Sequence, residues 1–194
     1  MTKTRLEAFS DAVIAIIITI MVLDFRVPET DDWQALSEIA PTFLMYALSF
    51  VYLAIYWNNH HHLLHATTRV SGGVLWANMH LLFWLSLVPF TTAWVGDSAL
   101  APLPTAVYGV VFLLAAIGYW ILVNTIIAHD GPESRLRAAI GSDVKGKMSI
   151  VIYATAVPLA FVNPMIAGAL YIAVAAIWLC PDPRIERRVN IGRT

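Results

Sequence analysis

Long apolar segments alternate with short polar ones along this chain of 194 residues. The first segment is unbroken, because Ala12 to Leu23 holds one hydroxyl, Thr19, and no charge. A helix needs about 20 mostly apolar residues to cross the hydrocarbon core of a bilayer. The pattern therefore predicts six transmembrane helices joined by short connections. They are expected at roughly residues 5–27, 39–57, 74–95, 106–127, 148–161 and 165–179.

The first apolar segment has a second interpretation, a secretory signal peptide, because Lys3 and Arg5 precede a short hydrophobic stretch. A signal peptide ends in small residues at a cleavage site, whereas Leu23 is followed by an acidic residue and soon by Pro28. We expect Pro28 to end a helix that stays part of the protein.

The basic residues predict how the helices are oriented, because Lys and Arg are enriched on the cytoplasmic side of a membrane. With the N-terminus inside, all but one of the 12 Lys and Arg residues are cytoplasmic, and only Arg26 lies outside. This agreement favours six spans with both termini cytoplasmic. It also disfavours a signal peptide, whose removal would leave five spans. Residues 1–194 are expected to form a single six-helix subunit.

Composition supports an all-α polytopic membrane protein. The chain is 59% hydrophobic and 13% charged, whereas charged residues make up about a quarter of a soluble domain. Its formal net charge of -1 shows no basic excess, so nucleic acid is not an expected partner. One cysteine, Cys180, excludes an intramolecular disulfide.

Polar residues cluster where the first helix begins, at Arg5, Ser10 and Asp11. A charged side chain at the end of a membrane helix is energetically costly unless it is paired with another group or hydrated. One interpretation is that these residues only cap and anchor the helix at the interface. The other is that Asp11 turns inward, held by Arg5 or by a histidine of another helix, and forms the entrance of a permeation path.

Two motifs give the chain a specific resemblance. They are Arg5-x-x-x-Phe9-Ser10-Asp11 at the start of the first helix and Trp57-x-x-His60-His61 at the end of the second. With an isoleucine five positions after the aspartate, the chain resembles the lysosomal potassium-channel family, the transmembrane protein 175 family, and its bacterial homologues. In that family the first helix of each six-helix unit lies on the pore axis, and bacterial members with one unit per chain assemble as tetramers.

The resemblance implies a role for each motif residue. Its isoleucine constriction falls on Ile16 and its pore-facing threonine on Thr19, with Ile20 and Leu23 continuing the same helical face. Geometry alone does not choose this face, because the helix is apolar all round between Ala12 and Leu23. The residues expected to form the entrance network are Arg5, Phe9, Ser10, Asp11, Trp57, His60 and His61.

Such a pore would select cations without a conventional potassium filter, since the chain contains no Thr-Val-Gly-Tyr-Gly loop. Four copies of Ile16 around an axis would leave an opening too narrow and apolar for a hydrated cation. Dehydration costs less for potassium than for sodium, so we expect modest potassium preference. Four Thr19 hydroxyls would replace part of the lost hydration.

Histidine spacing leaves a metalloenzyme as one alternative, because His60, His61, His62 and His65 contain the i, i+3 and i, i+4 pairs of a metal site. A histidine-clustered di-iron enzyme needs more such groups, usually with carboxylates. His80 is a candidate haem ligand, but a lone helical histidine more often packs against other side chains with its hydrogen bonds satisfied. We therefore expect neither an enzyme nor a cofactor or bound metal.

A secondary transporter is the other alternative. Transporters usually carry charged residues near the bilayer midplane, and no predicted helix here has one between its ends. A transporter remains an alternative, because the predicted helices contain Asn78, His80, Pro89 and Asn124. The sequence and the resemblance together predict a homotetramer in the lipid bilayer of a bacterial plasma membrane, passing potassium in preference to other monovalent cations.

Overall fold

The computed structural model describes residues 2–67, 69–131, 136–137 and 143–179, and in these all regular structure is helical. Cys180 and the basic tail lie outside the described residues. A short 3-10 helix, Met21–Asp24, extends the first α-helix. The α-helices are α1 Lys3–Ile20, α2 Trp33–Ala66, α3 Gly72–Ser86, α4 Val88–Asp97, α5 Pro102–Asp130, α6 Val144–Leu159 and α7 Pro164–Leu179.

Within the described residues these helices form six segments, because only Leu87 separates α3 from α4. The all-helical fold is therefore confirmed, whereas the orientation of the termini stays a prediction. α7 is apolar but shorter than the segments that qualify as spans. The helical segments that are long and apolar enough to cross a membrane are Lys3–Asp24, Trp33–Ala66, Gly72–Asp97 and Pro102–Asp130.

The first helix ends earlier than the expected residue 27. Phe25 has extended backbone, with φ -71° and ψ 123°, and its ring packs edge-on against Tyr46 of α2 at 5.2 Å. Val27 precedes Pro28, and a residue before proline is disfavoured in the helical region. α2 in turn begins earlier than expected, because the Asp32 side chain caps it by accepting from the backbone N–H of Ala35 at 2.8 Å.

The third segment is interrupted at Leu87, two residues before Pro89. Pro89 lies in the first turn of α4, and the preceding α-helix ends at Ser86. Proline has no N–H to donate and its ring clashes with the carbonyl four residues earlier, which breaks a continuous helix.

The core is built around α5, which packs against α3, α4, α6 and α7. Gly118 lets α3 approach closely, since a Cβ there would lie 3.2 Å from Leu81 Cα. Gly109 leaves room for the Tyr171 hydroxyl, which donates to the carbonyl of Thr105 at 3.1 Å. α1 lies at one side of this bundle, in contact with α2, α3 and α4.

Candidate functional site

The helix α1, with its 3-10 extension, has a buried face and an exposed face. Residues three or four positions apart share one side of a helix, and both faces follow that spacing. The buried face consists of Leu6, Ser10, Ile14, Ile17 and Met21. The exposed face contains Phe9, Ile16, Thr19, Ile20 and Leu23.

All four residues expected to line a pore lie on the exposed face. Ile16 is 55% exposed and Leu23 77% exposed, whereas Ile14 and Ile17 on the other side are buried. An apolar face left uncovered in one chain must contact lipid, another subunit or a pore. The packing of α1 thus distinguishes two faces of a helix whose sequence is apolar all round.

Thr19 is the polar residue within this exposed stretch. Its hydroxyl lies 3.1 Å from the carbonyl oxygen of Ala15 and 3.0 Å from that of Ile16, and it has one proton to donate between them. Both lone pairs of the hydroxyl oxygen therefore remain free to accept. A cation beside this face would meet an oxygen ligand at Thr19.

A chain of buried hydrogen bonds holds the opposite face of α1. Asn78 Nδ2 on α3 donates to Ser10 Oγ at 3.0 Å, and Ser10 Oγ donates to the carbonyl of Leu6 at 2.9 Å. His60 Nε2 on α2 lies 2.7 Å from Asn78 Oδ1. Because an amide oxygen only accepts, His60 must carry its proton on Nε2. Ser10, Asn78 and His60 are each at most 1% exposed, so this Ser10–Asn78–His60 network joins three helices away from water.

The partner of Asp11 differs from the one expected. Trp57 Nε1 donates to Asp11 Oδ1 at 3.0 Å, and neither histidine of the second motif bonds to this carboxylate in the described residues. His60 instead reaches Asn78 of α3, whereas Trp57 of the same helix reaches α1. His61 stays exposed and stacks on the Trp57 ring at 6.1 Å.

Arg5 also differs from its expected place. Its side chain is exposed, and its backbone N–H donates to Thr2 Oγ1 at 3.4 Å as part of the N-cap. Within the described part of one chain its guanidinium has no hydrogen-bond or ion-pair partner. A pair between Arg5 and Asp11 is therefore absent from the single subunit.

Asn78 is the member of the network that sequence reasoning missed. It drew attention only as a polar residue compatible with a transporter. An amide in the middle of an apolar helix is itself a signal, because such groups usually bond across to another helix. The sequence did not show which helices supply its partners.

The alternative metal and haem ligands make other contacts. His60 Nε2 is bonded to Asn78, and in the described residues no group of three metal-ligating side chains converges. His80 Nε2 accepts from Trp84 Nε1 at 3.0 Å, within the same helix.

Comparisons with known proteins bear on the same region. The family model described as the endosomal/lysosomal potassium channel TMEM175 matches residues 5–89, which include the whole Ser10–Asn78–His60 network. A protein of Chryseobacterium sp. (strain P1-3) named as a potassium channel is 53% identical, covering 98% of this chain and 99% of its own length. A second protein named as a potassium channel, from Streptomyces collinus, is 32% identical over 82% of each chain. The crystal structure of a lysosomal potassium-selective channel TMEM175 homologue from Chamaesiphon minutus matches with a TM-score of 0.79 and 26% identity, covering 91% of this chain and 96% of that one.

Proposed function

Because this chain belongs to the endosomal/lysosomal potassium channel TMEM175 family, we propose that it forms a potassium-preferring, weakly selective cation channel lined by α1 of each subunit. The observation that carries this proposal is the division of α1 into two faces. Its buried face is apolar except for Ser10, which is linked through Asn78 of α3 to His60 of α2. Its exposed face presents Ile16, Thr19, Ile20 and Leu23. Channel function involves no catalytic group, and potassium is the permeant ion rather than a cofactor.

The exposed face favours an assembly of several chains. One α1 helix cannot enclose a path, so several copies must contribute it about a shared axis, and closed cyclic symmetry is usual for identical subunits. The family resemblance sets the number at four. In this homotetramer the Ile16 side chains would meet near the axis, and other exposed apolar helices would contact the lipid bilayer.

The proposed selectivity arises from dehydration at Ile16. A ring of isoleucine side chains excludes the water shell of a cation and gates by dewetting. Thr19 follows three residues later, about 4.5 Å further along the helix axis. Its free lone pairs would compensate part of the lost hydration. Because potassium loses its hydration more cheaply than sodium, this arrangement favours potassium by a modest factor.

Acidic side chains follow the C-terminal end of α1 in the sequence. Negative charge at the mouth of a narrow pathway raises the local concentration of cations. In the proposed orientation, with both termini in the cytoplasm of a bacterial cell, these residues face the outside. The exposed acidic residues are Asp24, Glu29, Asp31, Asp32 and Glu38.

Potassium flux in liposomes tests the proposal directly. Protein reconstituted with a potassium gradient, and no proton or sodium gradient, is expected to dissipate that gradient. Ile16→Asn should raise the flux and weaken discrimination against sodium, because it lowers the dehydration barrier. Ile172→Asn on α7 is the matched control, since Ile172 is 60% exposed but lies outside α1.

Two results would contradict the proposal. Flux that requires a proton or sodium gradient would favour a secondary transporter. Equal effects of Ile16→Asn and Ile172→Asn would show that Ile16 does not form the constriction, even if the protein conducts potassium.

A further inference from the structure

A separate cavity lies among α2, α5, α6 and α7, away from the exposed face of α1. It has about 40 Å³ of free space. Its walls are mainly aromatic, and one carboxylate, that of Asp143, lies among them. The aromatic residues are Tyr52, Tyr56, Tyr119, Trp120, Tyr153 and Trp178.

Asp143 is held at this cavity by the start of α6. It is the N-cap of the helix, and its carboxylate accepts from the backbone N–H of Gly146 at 3.2 Å. Gly146 allows this close approach, because a Cβ on residue 146 would lie 2.6 Å from either carboxylate oxygen and would require the Asp143 side chain to shift. Burial raises the pKa of Asp143, while the Gly146 N–H and the exposed Lys147 lower it. A partly desolvated carboxylate of this kind is stabilised by a nearby cation.

Several polar groups of the cavity wall are already bonded to the protein. Trp178 Nε1 donates to Ser149 Oγ at 2.8 Å, and Ser149 Oγ donates to the carbonyl of Lys145 at 2.8 Å. The amide of Asn59 donates to the carbonyl of Ile55 at 2.8 Å. A ligand would therefore meet aromatic rings and the carboxylate rather than these donors.

We propose that this cavity binds a small alkylated ammonium group, with aromatic side chains around it and Asp143 as its counter-charge. Cations are attracted to the faces of Trp and Tyr, and aromatic cages are a recurring solution for methylated ammonium groups. A methylated ammonium is apolar on its surface and positive overall, which matches rings plus one carboxylate. The group could come from a free small molecule or from a lipid headgroup.

Calorimetric titration of the purified full-length protein in a non-ionic detergent tests the site, with choline as the probe at constant ionic strength. Choline is expected to bind at least about tenfold more tightly than 3,3-dimethylbutan-1-ol, its uncharged isostere, because only choline gains the electrostatic attraction. Asp143→Asn should weaken choline binding by about tenfold or more. Asparagine caps a helix as well as aspartate, so this change removes the charge and keeps α6 capped.

Two further variants make the test specific. Trp120→Leu removes a cavity ring and should weaken binding, whereas Asp97→Asn, an exposed acid outside the cavity, should leave it unchanged. No choline binding, equal binding of the uncharged isostere, or binding insensitive to Asp143→Asn would overturn the proposal. Binding lost in Ile16→Asn and kept in Asp143→Asn would likewise overturn it, by placing choline against α1.

The source of the group is distinguished in nanodiscs. If a lipid headgroup fills the cavity, free choline binds more weakly in phosphatidylcholine discs than in phosphatidylglycerol discs. Equal affinities in the two lipids identify a free small molecule. Both results uphold the site and differ only in what occupies it.

Discussion

Asn78→Leu is expected to destabilise the protein because it removes the centre of the Ser10–Asn78–His60 network. Leucine has the same number of side-chain heavy atoms in the same branched arrangement, so it is the apolar residue nearest to asparagine in shape. The substitution removes two hydrogen bonds, of 2.7 Å to His60 and 3.0 Å to Ser10, and leaves the His60 Nε2–H buried without an acceptor. Hydrogen bonds between membrane helices average about 0.6 kcal/mol and reach about 1.7 kcal/mol. Adding part of the cost of an orphaned buried donor, about 1–3 kcal/mol, we expect a loss of about 2–3 kcal/mol.

Reversible denaturant unfolding in mixed micelles would measure this free energy, with Asn124→Leu as the matched control. Asn124 is exposed on α5, and its amide donates to the carbonyl of Trp120 in its own helix at 2.7 Å. The control should therefore change stability by less than about 0.5 kcal/mol. A double variant with His60→Leu should lose less than the sum of the single losses, because it leaves no orphaned donor. Equal stability of Asn78→Leu and Asn124→Leu would refute the reasoning.

Three further predictions concern α1. Thr19→Val, which keeps the side-chain volume, should reduce the ratio of potassium to sodium flux in liposomes, and an unchanged ratio would remove Thr19 from the pathway. Ile20→Cys in a Cys180→Ala background should crosslink between chains on oxidation, whereas Ile14→Cys, buried within the subunit, should not; failure of Ile20→Cys would argue against α1 as the shared helix. Asp11→Ala should cost less than about 1 kcal/mol in the same unfolding assay, because its bond to tryptophan is exposed, and a loss of about 3–5 kcal/mol would indicate a buried ionic partner in the assembly.

The sequence drew attention to polar residues at the start of α1 and the end of α2, but it did not single out Asn78, and the proposed entrance network stays a prediction. Ser10, Trp57 and His60 do make hydrogen bonds between helices, and Asp11 is among the groups bonded. Direct pairing of a histidine with Asp11 was wrong for the single subunit, because His60 reaches Asn78 instead. The pore roles of Ile16 and Thr19 remain predictions, since they depend on chains that a single subunit does not contain.

The apolar segments and their breaks determined the helical class and the number of segments. This was possible because membrane crossing requires length and apolarity, which are properties of consecutive residues. Only the tertiary structure decided which side of α1 is buried. Between Ala12 and Leu23 nearly every residue is apolar, so no periodicity distinguishes Ile14 and Ile17 from Ile16 and Ile20. In the folded subunit α1 packs through Leu6, Ile14, Ile17 and Met21, and it bonds to Asn78 and Trp57. These contacts depend on how the helices approach one another in space.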